Sequence, residues 1–206
     1  MNRNNLGIAA AVVAMATLTG AIIAEPPASA AAASTDGTLQ RPRDVRELVF
    51  LSSGYGLAYG PAAAAARKAG GMEPFTNVFV TPEAYRGFMQ TGRWPDGTTF
   101  FLEVRQGEGH AANDVRGASQ GSLIALEAEQ KDSARYPDGG FAFFDLSRSA
   151  AGERAAPLPR TATCYACHRL HGAVEWTFTQ FYPEQFALAR RLGTVRKDYD
   201  PNGKLK

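Results

Sequence analysis

The chain is poor in the residues from which metal and redox sites are built: its 206 residues include two cysteines and three histidines. Two cysteines close one disulfide at most, which excludes a small scaffold held together by several bridges. An excess of one charge is missing as well. Twenty-two Lys and Arg against 20 Asp and Glu give a formal net charge of +2. The signs are interspersed, so neither a nucleic-acid footprint nor a membrane-binding basic run is present. Long apolar runs are confined to the N-terminus, and no later segment approaches the roughly 18 apolar residues that a membrane span requires. Lysine is scarce too, with Lys68, Lys131, Lys197, Lys204 and Lys206 as the full set.

What the N-terminus does have is Arg3, an apolar run from Leu6 to Ala24 and a small-residue site at Ala28-Ser29-Ala30. This is the layout of a secretory signal peptide. A membrane anchor is the alternative, but the run is rich in Ala, Gly and Thr and is followed at once by Glu25-Pro26-Pro27. Cleavage after residue 30 leaves 206 − 30 = 176 residues, a size that suits one domain with one core. Residues 31–43 read as a flexible leader of small and polar residues, and 44–206 as the folded domain. The expected product is exported to the periplasm, soluble once the signal is removed, with no membrane span left and no nucleic-acid partner.

Both cysteines lie in "TATCYACHRLHG", where Cys164, Cys167 and His168 spell C-x-x-C-H. Three chemistries use such a cluster. A thioredoxin-like centre places C-x-x-C early in a βαβ pattern; here it comes late, just after Pro157 and Pro159. Structural zinc takes four ligands, commonly from two separated pairs. His168 and His171 could complete that set, although zinc does not call for a histidine directly after the second cysteine. Haem c uses every residue of the motif, because two thiols reach the two vinyl groups and the next imidazole reaches the iron. Export favours it. The expectation is one covalent haem c, anchored by Cys164 and Cys167 near the C-terminal end, with His168 as the iron ligand.

Periodicity supplies the scaffold. Phe75 to Val80 alternates as a strand, and Thr81-Pro82-Glu83 then caps a helix running through Met89 towards Gly92. Pro95-Asp96-Gly97 makes a turn before a strand from Thr98 to Arg105. Ser122 to Glu129 and Phe141 to Leu146 are further strands, separated by the turn Pro137-Asp138-Gly139-Gly140. Downstream, Trp176, Phe178 and Phe181 precede a helix opened by Pro183 and stopped by Gly193. Short strands joined by turns, with a few helices, define an α+β domain dominated by antiparallel β-sheet.

"CYACH" followed by "WTFTQFYP", and preceded by "VFVTPEAYRGFMQTGRWPDGTTFFLEV" and "LEAEQKDSARY", resembles the cytochrome P-460 family, which includes the cytochromes c′-beta. The likeness runs from about Phe75 to Pro183. It implies an exported, mainly antiparallel-β haem protein, commonly a homodimer, with one haem c per subunit. In relatives that oxidise hydroxylamine, a lysine in the strand after the "DGT" turn is linked to the haem edge. The matching position here is Leu102, which speaks against that activity.

Strand alternation puts Thr98, Phe100, Leu102 and Val104 on one face and Thr99, Phe101, Glu103 and Arg105 on the other. The face that would meet the haem is therefore apolar. This matches the c′-beta branch, whose distal pocket is capped by apolar side chains, and Phe75 is expected as a second wall. Met72, Met89, His110 and His171 are the possible sixth ligands, and the resemblance implies an open site instead. Glu127 matches a family acid near the distal side in catalytic members; alternation would place Leu123, Ala125 and Glu127 on one face, and a solvated residue or a partner for Arg135 is the plainer alternative.

Two functions follow. The first is a binding protein that takes NO, and also CO, for detoxification, buffering or sensing. The second is an enzyme that oxidises hydroxylamine or NO and passes electrons to a partner cytochrome, with Glu127 as its acid. Simple electron transfer is a third reading and requires a sixth ligand such as Met72.

Overall fold

The computed structural model describes residues 36–58, 72–109 and 116–201. The signal segment 1–30, the leader up to residue 35, His110, Lys68, Lys204 and Lys206 lie outside the described residues. Helix α1, Pro82–Thr91, shows how local chemistry sets its own limits. Thr81 caps it by accepting from the Ala84 amide, Pro82 occupies a position whose amide needs no partner, and Gly92 ends it at φ 68°. That left-handed turn favours glycine because no Cβ meets the backbone.

The described residues form seven strands: β1 Leu39–Gln40, β2 Val49–Tyr55, β3 Phe75–Val80, β4 Thr99–Glu108, β5 Ser119–Lys131, β6 Phe141–Asp145 and β7 Arg154–Ala155. Strands β2 to β6 form a five-stranded sheet in sequence order, with every neighbour antiparallel. Strands β1 and β7 pair separately. Helix α2, Thr163–His171, and helix α3, Pro183–Leu192, follow the strands. The result is the α+β class with predominantly antiparallel sheet that the sequence leads one to expect.

Register gives the sheet two different faces. Val78, Leu102 and Glu127 stand side by side across three strands, as do Val80, Phe100, Glu129 and Phe143 across four. The opposite face carries Phe79, Phe101, Ala128 and Phe144. These pack with Leu39, Val45, Leu126 and Leu146 into the rear core. Each fully buried Phe or Leu there contributes about 1.5–3 kcal/mol. On the front, Val80 and Phe100 pack with Phe88, Trp94, Tyr182 and Leu188 from α1, α3 and their flanks.

The structure departs from the sequence expectations in four places. Strand β4 runs on to Glu108 and β5 spans Ser119 to Lys131, because each pairs beyond its apolar stretch. A β-bulge between Val104 and Arg105 breaks the alternation of β5, so Leu123 pairs with Arg105 and lines a rear cleft with Leu126 instead of sharing a face with Glu127. Strand β2 carries its own irregularity between Phe50 and Ser52, which hides its period in the sequence. Finally, Leu39 and Gln40, inside the stretch read as a leader, pair with Ala155 and Arg154, and Leu39 is 0% exposed.

Candidate functional site

The front of the sheet ends in a cavity of about 430 Å³, within the usual range for cofactor and ligand pockets. Its sheet wall includes Thr76, Val78, Phe100, Leu102, Glu127 and Glu129; the facing wall includes Cys164, Cys167, His168, Phe178 and Tyr182. Residues from β2, β3, β4, β5, β6 and α2 thus converge on one space. Cys164, Cys167, His168, Leu102 and Glu127 are brought together there. Phe75 is not: it pairs with Arg105 on the rear face and leans on Tyr55, with ring centroids 4.8 Å apart. Its neighbour on that face, Asn77, donates to Glu103 Oε2 at 3.0 Å, so this part of the rear face is polar. Thr76 and Val78 take the wall position that was expected of Phe75.

Helical spacing explains the proximal cluster. Cys164 and Cys167 are three residues apart on α2 and Cys164 and His168 are four apart, so all three point to one side of the helix. Tyr165, between the cysteines, is buried in the protein beside them. Its hydroxyl donates to the Leu158 carbonyl at 3.0 Å, its ring meets Phe143 edge-on, and the Arg160 guanidinium sits 4.6 Å from its centroid. Arg160 in turn donates to the carbonyls of Phe141 and Asp138. These contacts fasten α2 to the end of β6.

His168 is fixed on three sides. Its ring stacks on Phe178 at 4.1 Å and leans on Phe143 at 4.5 Å. Nδ1 lies 2.9 Å from the Trp176 carbonyl. A carbonyl only accepts, so Nδ1 carries the proton and the neutral ring presents the lone pair of Nε2 for a metal. The carbonyl is held by a strained turn. Glu175 has φ 54°, unusual for a side-chain residue, and its carboxylate accepts from Lys131 Nζ at 2.8 and 2.9 Å. Lys131 also donates to the Trp94 carbonyl, and Arg196 donates to the carbonyls of Arg169, Gly172 and Glu175. Trp176 itself lies over Gly139, where any Cβ would fall inside the indole, and its ring stacks on Phe141.

Two carboxylates complete the wall. Glu127 is exposed to solvent through the cavity, while the protein around it partly encloses its carboxyl. That enclosure, then the charge of Asp145, push its carboxyl above the ordinary range, with His168 opposing. Glu129, two positions on, is buried, and its Oε1 lies 3.3 Å from His168 Nδ1. The distance allows charge attraction, but the Nδ1 proton points at Trp176, and Oε1 has no hydrogen-bond donor. Burial alone would lower the pKa of His168; the charge and contact of Glu129, the Trp176 carbonyl and Glu127 outweigh it and raise it. Sequence reasoning missed Glu129. The available signal was its place two residues after Glu127, on the same face of an alternating strand.

The donor set fits haem better than the other readings. Burial, aided at Cys164 by Glu127, pushes both thiols above their ordinary value, the reverse of a reactive dithiol centre. Among the described residues no three His, Cys, Asp or Glu side chains are arranged to hold a metal ion, which removes the zinc cluster. His171 does not line the cavity, nor do Met72 and Met89. Residues 60–179 match the model of the family described as cytochrome P460. No curated protein matches the chain. A match over more than half of the sequence, on a chain whose C-x-x-C-H helix faces the sheet across a cofactor-sized cavity, places this protein in the cytochrome P460 family of haem cytochromes.

Proposed function

We propose that the protein is an exported c-type cytochrome that holds one haem through Cys164 and Cys167, ligates it through His168 and keeps the distal side open for NO and CO. The observation that carries this reading is the make-up of the cavity. Cys164, Cys167 and His168 stand on one wall, Val78, Phe100 and Leu102 on the sheet wall, and among the described lining residues there is neither a methionine nor a second histidine. The haem, when bound, supplies an iron centre able to take a diatomic ligand. The protein does the rest. Trp176 orients His168, Phe178 and Phe143 clamp its ring, and Val78, Phe100 and Leu102 offer no side-chain hydrogen-bond donors of the kind on which bound O₂ depends. NO and CO need fewer such donors, so the pocket favours them. Detoxification, buffering and sensing are all roles for such a protein, and a homodimer is its expected state.

Glu127 supports a second reading, oxidation of hydroxylamine or NO with electrons passed to another cytochrome. It lies directly across from Leu102 on the cavity wall, and its carboxyl, raised above the ordinary range, is a stronger proton acceptor than a freely solvated glutamate. Leu102 stands where the cross-linking lysine would be, which weighs against this reading. Optical spectra of the ferric and ferrous protein, with and without NO and CO, separate the two. High-spin ferrous haem that binds both gases is expected; a six-coordinate, low-spin ferrous spectrum indifferent to CO would refute the open site. A red-shifted ferrous Soret band would reveal a cross-link despite Leu102 and favour the enzyme. Cys164→Ala with Cys167→Ala abolishes covalent haem on this proposal, and its retention would overturn it.

A further inference from the structure

We infer that Glu129 is a positioning residue for His168, an anionic partner that raises the electron density of the proximal imidazole and so holds the iron in its ferric state. The inference rests on the haem reading above. Glu129 is 8% exposed, and its Oε1 has no hydrogen-bond donor, although it lies 3.3 Å from His168 Nδ1. A buried carboxylate oxygen without a donor is expensive, and strand β5 nevertheless holds Glu129 Oε1 in place between Phe100 and Phe143. The nearest compensating group is the imidazole. Its proton already goes to the Trp176 carbonyl at 2.9 Å, so Glu129 acts on the ring through charge alone, from 3.3 Å away and off the axis of that bond. Such outer partners raise the basicity of a ligating histidine. A ring made more basic stabilises the higher oxidation state and binds it more firmly.

Glu129 differs from Glu127 in what it faces. Glu127 stands opposite Leu102 and Asp145, whereas Glu129 stands opposite Phe100 and Phe143, the residue that clamps the histidine. The two acids therefore divide the wall: Glu127 is placed for a ligand and Glu129 for the histidine.

The test is the midpoint potential of the one-electron ferric/ferrous couple of the full, haem-loaded protein, titrated with dithionite and ferricyanide, together with the iron–histidine stretch by resonance Raman. Glu129→Gln keeps size and removes charge. It should favour the ferrous state by about tenfold at fixed potential, which is 59 mV for one electron, and it should lower the stretching frequency. Glu129→Asp keeps the charge and retracts it, and should shift both readouts less in the same direction. If the Gln variant fails to fold by circular dichroism, the Asp variant decides. Unchanged potential and stretch in a folded, haem-loaded variant overturn the inference. Absence of covalent haem from the parent protein would instead sink the haem reading, so the two failures are told apart.

Discussion

Glu127 and Glu129 share a strand and a face, yet their surroundings give them opposite uses. For Glu127 the enclosure and Asp145 raise the carboxyl in the folded state. A raised acid contributes stability that is complete below the ordinary glutamate pKa of about 4.3 and is lost as pH rises through the folded value. Glu127→Gln should therefore be more stable than the parent at pH 7 and lose that advantage near pH 4, a crossover that urea unfolding at the two pH values would reveal. Parallel curves at both pH values would show that the carboxyl is not raised. Which of the two acids meets the histidine was not legible in the sequence. Alternation puts both on the cavity face, and only the register against β4 and β6 sets one beside Leu102 and the other beside Phe143.

The elements were legible where a chemical cap marks them. Thr81-Pro82 and Gly92 bound α1, Pro183 and Gly193 bound α3, and both helices lie where the sequence places them. Strand β2 was not legible, because its irregularity after Phe50 and its central Ser52-Ser53-Gly54 remove the two-residue period. Nor was the Leu123 flip, since a bulge leaves no composition signal. The turn Val174 to Thr177 was equally hidden: its strained Glu175 is paid for by Lys131, 44 positions away in sequence. Lys131→Met should cost about 2 kcal/mol in urea unfolding, by leaving the Glu175 carboxylate and the Trp94 carbonyl without their donor. The same variant should disturb the His168 environment, visible as a changed iron–histidine stretch. A neutral result in both would mean that the bridge does not hold the turn.

At the scale of the molecule, the sheet is a partition, with the cavity in front and the rear core behind it. The rear core is closed by residues from outside the five-stranded sheet, Leu39 from β1 and Leu146 beyond β6. Leu39→Ala should cost about 2–5 kcal/mol in thermal or urea unfolding although the residue lies far from the cavity; a loss below 1 kcal/mol would show that the N-terminal strap is dispensable. Among the described residues no helix is long and apolar enough to cross a membrane. Gly139 links the two ends of the partition. It turns the chain between β5 and β6 at φ 87°, and the Trp176 indole occupies the space a Cβ would need. A colony screen for altered haem colour should accordingly recover Gly139 substitutions, and their intragenic suppressors should fall at Trp176, trading the indole for a smaller side chain. Such a pair would map, by genetics alone, a line of force from a surface turn to His168.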